Sequence, residues 1–529
     1  MKNKKNTTQK KEYNLQKIYP LLLLLIFFVV YKFIFNSHLD LNGDNFDYIN
    51  YAKSIVDGHG YRSPYTPDYN PTNHYPPGYS TFLAIVMFFF GKDVVIFKIL
   101  NGLFFLGSVL LLGKAFETIT KNKFLIFSVS AIILANNGLL QWSTIVMSEI
   151  PYLFFSSLGF YFVVKYFNYS PQYTKLSKEL IFITITAVIV YYFRSIGIVL
   201  SGAFILYALF QRKWKAALGF SLGFIILYLP WIIRNNIHHI KGRYMGSIMA
   251  VNPWRPEEGQ LSSFGDFFNK MLVNFNDTVL KGFNEVLFPF VNFNELSKSL
   301  IIATGIVTLL LTIYGAWKIK KLNIFVILYI LGNIFVFLVW HSGNGSRYVW
   351  PLAPFIAYCF FFGINELASL LFKNQQKILT KIPFAIMLIG FFFYPKLKEM
   401  NLKAERNYPA AYQNFFNIAK SVKKGNNNQL MICNRKPGMF HYFSETYVCN
   451  YAWSPDDKKV ISDMIKKHVD YVVLDQLGYS STARYLYPAI QKNPGLFKKV
   501  SQTQKPETYL LQFNRERAID QLDEKSNSE

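Results

Sequence analysis

From residue 18 to residue 395 the chain is a succession of apolar blocks separated by short polar stretches. A helix that crosses a bilayer needs about 20 apolar residues, with a range of roughly 17–25. Blocks at 18–36, 94–113, 124–139, 147–164, 179–193, 196–211, 216–233, 299–317, 323–340, 350–371 and 382–395 read as about eleven spans. A twelfth block, 79–90 ("YSTFLAIVMFFF"), is short and follows Pro76-Pro77-Gly78. Counting it as a span inverts the topology of everything after it.

The positions of the lysines decide between the two topologies, because cytoplasmic loops carry the excess of Lys and Arg. Lys2, Lys4, Lys5, Lys10, Lys11 and Lys17 place the N-terminus in the cytoplasm. With 79–90 left out, the clusters Lys114/Lys121/Lys123, Lys165/Lys175/Lys178, Arg212/Lys213/Lys215, Lys318/Lys320/Lys321 and Lys373/Lys377/Lys381 all fall inside. With it counted, they all fall outside. The 79–90 block is therefore expected as a half-inserted or interfacial helix. The 37–93 loop, the tip at 140–149, the 234–297 loop, the 342–349 turn and everything after 396 are expected outside. The reading is a multi-pass protein of the plasma (inner) membrane, with residues 1–17 cytoplasmic and 18–395 forming the transmembrane domain.

Beyond 396 the pattern changes. "QLMIC", "DYVVLD" and "TYLLQF" are strand-like runs between helical patterns at 455–468 and 482–492. That alternation predicts a small extracytoplasmic α/β domain over 396–513, followed by a polar, disordered tail at 514–529.

Composition agrees with the membrane class. The chain has 529 residues, of which 52% are hydrophobic and 16% charged, against about 25% charged in soluble domains. The net charge of +25 lies in short clusters between apolar blocks, with no zinc pattern and no basic stripe, so nucleic acid is not an expected partner. Three cysteines make no disulfide framework, although Cys433 and Cys449 can pair if their domain lies outside the cytoplasm. The first block lacks a small-residue cleavage site and reads as an uncleaved anchor.

Candidate chemistry gathers at the expected outer ends. In "NGDNFDYINYAKSI" the residues Phe46, Ile49, Ala52 and Val56 recur at helical spacing, which predicts an amphipathic helix over 45–57 lying at the interface. Asp44 stands at its expected N-cap with Asp47 three residues on. The two acids either cap this helix or present carboxylates at a fixed point above the membrane. Glu149, in "MSEIPYLFF", heads an apolar span, either as a helix-start acid beside Ser148 or as a functional group. Arg194, Arg234 and Arg347 mark three other outer ends. Each can snorkel, but together with the acids they point to a phosphate or diphosphate carrying a lipid tail.

The ordered motifs "GDNFDYINYA", "YPPGY", "MSEIPYLFF", "RSIGIVL", "LPWIIRN" and "RYVWPLAPF", spread over residues 40–355, resemble the bacterial membrane glycosyltransferases of the protein O-mannosyltransferase and aminoarabinose transferase type, glycosyltransferase family 39. The resemblance implies a C-type fold with two interfacial helices in the first outer loop. It further implies an inverting transfer of a sugar from a polyprenyl phosphate to a glycan, lipid or protein acceptor outside the membrane. Asp44 is implied as the catalytic base, and Glu149 matches the family's acid at the head of a later span; Asp47 is a further candidate acid, and the cationic stabilisation that a departing lipid phosphate needs makes Arg194, Arg234 and Arg347, with Tyr348, the candidate donor-phosphate set. The family often has a second acid directly after the first, where this chain has Asn45. An amide is a poorer ligand than a carboxylate for a divalent cation (Mg²⁺ or Mn²⁺) held by Asp44, Asp47 and Glu149. The 234–297 loop, with "NPWRPEEG", is a candidate lid. A transporter or flippase of lipid-linked sugars is the alternative, but transporters place ionisable residues near mid-membrane. A non-catalytic scaffold would have no use for the clustered outer acids and arginines.

Overall fold

The computed structural model describes the chain except residues 1, 42, 121, 170–176, 241, 243, 320–321, 341–344, 373–374, 376–378, 425–429 and 527–529, and the side chains of 2–16, 169, 423–424 and 524–526. Lys121, Lys175, Lys320, Lys321, Lys373 and Lys377 of the expected inside loops lie outside the described residues.

The apolar blocks are helices, and the chain is a multi-pass membrane protein. Among the described residues six helices are long and apolar enough to cross a bilayer: 17–34, Val94–Ile119, Glu149–Asn168, Trp214–Ile237, Lys298–Lys318 and Trp350–Leu371. Lys123–Ala135 and Asn137–Ser143, bent by 61°, make a seventh if taken as one span. Ser195–Phe210 and Asn323–Val339 are shorter. The 382–395 block is broken into Ile382–Ile389, a 3₁₀ turn, and Tyr394–Ala404.

Two short helices precede the second long one. Asp44–Val56 buries Phe46, Ile49 and Ala52, while Val56 stays exposed at its end. Gly78–Phe90 starts directly after the prolines and is 13 residues long, about 20 Å, too short for a hydrocarbon core of about 30 Å. Tyr79, Leu83 and Val86 are buried, whereas Ile85, Phe88, Phe89 and Phe90 are exposed. A short helix with one bare aromatic face suits the membrane interface.

After residue 430 the chain forms a five-stranded sheet in the order β2-β1-β3-β5-β4, from β1 (Met431–Cys433), β2 (Tyr447–Cys449), β3 (Tyr471–Leu474), β4 (Phe497–Gln502) and β5 (Tyr509–Phe513). β1 is parallel to β2 and β3, and β5 is antiparallel to β3 and β4. β2 and β4, too short or too polar to stand out in the sequence, complete the three expected strands. Cys433 and Cys449 are in register on neighbouring strands, both as free thiols. Residues 515–526, expected as a disordered tail, form a helix instead: Ala518 is buried and Leu522 packs on the same core. Two apolar contacts one turn apart suffice to hold a helix whose other faces are charged.

This domain is docked on the first loop. Asn50 Nδ2 donates to Gly438 O at 2.8 Å, Val448 N to Tyr65 O at 2.9 Å, and Tyr408 Oη to Leu39 O at 3.0 Å.

Candidate functional site

Asp44 is the first residue of its helix rather than its cap. Gly43 holds the N-cap position with φ of +94°, a conformation open to glycine, and no side chain caps the helix. The Asp44 carboxylate turns instead to a guanidinium, which offers a charge-assisted hydrogen bond in place of a neutral one. Arg347 Nη2 donates to Asp44 Oδ2 at 2.7 Å, and Tyr75 Oη donates to Oδ1 at 3.1 Å.

From Arg347 the charges continue in a chain. Its Nε donates to Glu149 Oε1 at 3.1 Å, and Arg194 Nη1 reaches the same oxygen at 2.8 Å. Arg194 also donates to Ser148 Oγ at 3.2 Å. Glu149 heads the helix Glu149–Tyr169 and is fully buried, and among the described residues its Oε2 has no hydrogen-bond partner. Residues 44, 149, 194 and 347, far apart in sequence, thus form one alternating row: acid, base, acid, base.

Asp47 lies behind Asp44, one helical turn on. Tyr65 Oη donates to its Oδ1, and Tyr75 Oη lies 3.4 Å from Oδ2. Tyr75 therefore bridges the two carboxylates. Gly438 packs so closely on Asp47 that a Cβ there would strike the carboxylate. Burial pushes the Asp47 carboxyl up, against the Tyr65 hydrogen bond and with the help of the Asp44 charge, to about 7. Burial works the same way on Asp44, but Arg347 overrides it and holds that carboxyl below its ordinary value.

Two members of the expected set sit differently. Tyr348 Oη accepts from Trp340 Nε1 at 2.9 Å and lines the cavity onto which the charged row opens. Arg234 is not brought to the cluster. It donates to the carbonyls of Tyr61 at 2.5 Å and Thr72 at 3.1 Å and lies 4.6 Å from the centre of the Trp231 ring, pinning the first loop to the end of Trp214–Ile237.

Among the described residues no three His, Cys, Asp or Glu side chains converge as metal ligands. The guanidinium of Arg347 stands between Asp44 and Glu149, where a shared cation would sit.

The row opens onto a cavity of about 860 Å³ lined by three parts of the chain. The helix ends supply Asp44, Ser148, Arg194 and Arg347, with Phe193, Ile198, Val336 and Phe337 forming an apolar side. The long loop supplies Tyr244, Ile248 and Trp254, and the C-terminal domain supplies Arg435, Lys436, Trp453 and Tyr479. The loop read as a lid is a wall of this cavity, tied to the C-terminal domain by Tyr485 Oη donating to the Glu257 carboxylate, with O···O distances of 2.8 and 2.9 Å.

Residues 19–241 match the family model described as dolichyl-phosphate-mannose-protein mannosyltransferase. No curated protein sequence matches the chain. In three dimensions the chain is similar to ArnT from Cupriavidus metallidurans bound to undecaprenyl phosphate, with 8% identity, a TM-score of 0.59, and coverage of 94% of this chain and 97% of that one. It is also similar to the Archaeoglobus fulgidus oligosaccharyltransferase AglB in complex with an inhibitory peptide and a dolichol-phosphate, with 10% identity, a TM-score of 0.57, and coverage of 94% and 74%. The fold is that of the C-type glycosyltransferases.

The family match contains Asp44, Asp47, Glu149, Arg194 and Arg234, but not Arg347. Sequence reading missed Tyr65, Tyr75 and the whole C-terminal contribution. Tyr75 lies in the "YPPGY" motif, so its position was visible although its role was not. Arg435 and Lys436 follow a short strand directly, the place where α/β sheets present ligand-binding residues, and that signal was available.

Proposed function

We propose that the protein moves a sugar from a polyprenyl-phosphate donor to an acceptor hydroxyl, with inversion, on the extracytoplasmic face of the plasma membrane. The observation that carries this reading is the Asp44 carboxylate, freed from capping, facing a cavity beside two arginines and an apolar wall. The acceptor hydroxyl attacks the anomeric carbon from the face opposite the phosphate. Asp44 takes the hydroxyl proton as the new C–O bond forms, a contribution of about 10²–10⁴ in rate. The bond from the anomeric carbon to the phosphate oxygen breaks, and its electron pair leaves with the lipid phosphate. Arg347 and Arg194 stabilise that developing charge, and the side made by Phe193, Ile198, Val336 and Phe337 takes the start of the lipid chain. Arg347 has a second role: it keeps Asp44 ionised and ready to accept a proton. Tyr75, hydrogen-bonded towards both carboxylates, connects Asp44 to Asp47, whose carboxyl titrates near neutrality.

Mass spectrometry of the purified full chain tests the reading. It is expected to retain a polyprenyl-phosphate sugar and to release polyprenyl phosphate when an acceptor is supplied. A protein that binds neither lipid under conditions that keep it folded would defeat the proposal.

A further inference from the structure

The C-terminal domain presents to the cavity the ends of its strands that are suited to binding. In open α/β sheets ligands bind in the crevice outside the carboxyl ends of the parallel strands. Here those ends belong to β2, β1 and β3, which are adjacent and parallel. Arg435 and Lys436 follow β1, Trp453 follows β2, and Tyr479, Ser480 and Ser481 follow β3; all six line the cavity that holds Asp44.

The chemistry of this crevice differs from that of the arginine row below it. The Arg435 guanidinium lies 4.8 Å from the centre of the Trp453 ring and 4.7 Å from that of Tyr479. Trp254, from the long loop, stands 6.1 Å from Trp453, centre to centre, at an angle of 39°. Among the described residues two buried donors of the cavity-lining side chains have no hydrogen-bond partner, Arg435 Nε and Trp453 Nε1, and the same holds for Oδ2 of Asp475, which lies just after β3 behind the lining. Buried polar groups are nearly always paired, so unpaired ones at a cavity wall call for a ligand. Two unpaired donors among aromatic faces match a sugar that carries hydroxyls and an anionic group. Arg435 differs from Arg347 and Arg194 in that no carboxylate lies within salt-bridge distance of it among the described residues.

Resting on the transferase reading above, we propose that this crevice is the acceptor subsite and that it takes an anionic saccharide. The saccharide stacks on Trp453 and Trp254, and its phosphate or carboxylate pairs with Arg435, whose planar fork suits either group. Lys436 reaches from the crevice towards the first loop. A Cβ at Gly43 would lie only 3.0 Å from its Nζ, so the crevice and Asp44 are contiguous. An acceptor held there brings its hydroxyl to the base from the side opposite the apolar wall.

The test measures binding to the detergent-solubilised full chain with three probes: polyprenyl phosphate, a phosphorylated oligosaccharide, and the same oligosaccharide after phosphatase treatment. The parent is expected to bind the phosphorylated oligosaccharide at least ten-fold more tightly than the neutral one. Arg435→Gln is expected to erase that preference while binding polyprenyl phosphate as before, and Trp453→Ala to weaken both oligosaccharides. If Arg435→Gln does not fold, Ser480→Asp, an exposed position on the same wall, should erase the preference by repulsion. Equal binding of the two oligosaccharides by the parent, an unchanged preference in Arg435→Gln or Ser480→Asp, or undiminished binding of both oligosaccharides by Trp453→Ala overturns the proposal. Loss of polyprenyl-phosphate binding in Arg435→Gln also overturns it, by assigning the crevice to the donor. A parent that fails to bind polyprenyl phosphate instead tells against the transferase reading itself.

Discussion

At the scale of single residues, the test falls on the acid row. Asp44→Asn keeps shape and removes only the proton acceptor, and no cap is lost because the carboxylate makes none. Sugar transfer measured with radiolabelled donor is expected to fall by about 10²–10⁴-fold, while the melting temperature changes little. Arg347→Ala removes the partner of two carboxylates. Retention of polyprenyl phosphate should drop far more than in the exposed Lys466→Ala, and Arg347→Lys should recover only part of it, because one ammonium cannot replace the fork that spans Asp44 and Glu149. Asp47 has a stability signature. Its unfolded value is 3.8 and its folded value about 7, so between the two the folded state holds the extra proton. The stability this contributes is complete below about pH 4 and is lost as pH rises through about 7. Asp47→Asn is expected to flatten the fall of melting temperature between pH 5 and 8, and an unchanged slope would show that other groups cause it.

At the scale of elements, what mattered was less which helices form than what their ends do. Apolar periodicity and lysine placement made the helical blocks and the short Gly78–Phe90 helix legible, because length and charge are local properties of the chain. Partner choice was not legible. Arg234 and Arg347 look alike in sequence, each polar at the end of an apolar block, yet one holds loop carbonyls and the other two carboxylates. The difference depends on contacts between residues 162 and 303 positions apart, which no window along the sequence reads. Arg234→Ala is therefore expected to lower thermal stability and leave polyprenyl-phosphate retention near the parent level. At Gly438 the helix Pro437–Ser444 meets Asp47 with no room for a Cβ. Gly438→Ala should push the two apart and reduce transfer without touching the arginine row.

At the scale of the whole molecule, the cavity is assembled from both ends of the chain and the middle. The sheet domain was visible in three strand-like runs, but nothing in their pattern showed that it forms a wall of the cavity that holds Asp44. The orientation proposed from the lysines is open to a direct check at exposed positions. Cysteines replacing Asp68 and Ser262 should react with an impermeant thiol reagent in intact cells, and those replacing Lys123 and Lys381 should react only after permeabilisation. Reaction at position 123 from outside would invert the arrangement and move the site to the cytoplasm.

The bond from Asn50 to Gly438 joins residues 388 positions apart, and this has a consequence for biosynthesis. At about 5–20 residues per second, a ribosome needs roughly 20–80 s between the emergence of the two. For most of that interval Asp44 lacks Arg347, and throughout it the cavity lacks the wall that the C-terminal domain supplies. The row of charges and the cavity around it are therefore complete only once the C-terminal domain has been made and has docked on the first loop.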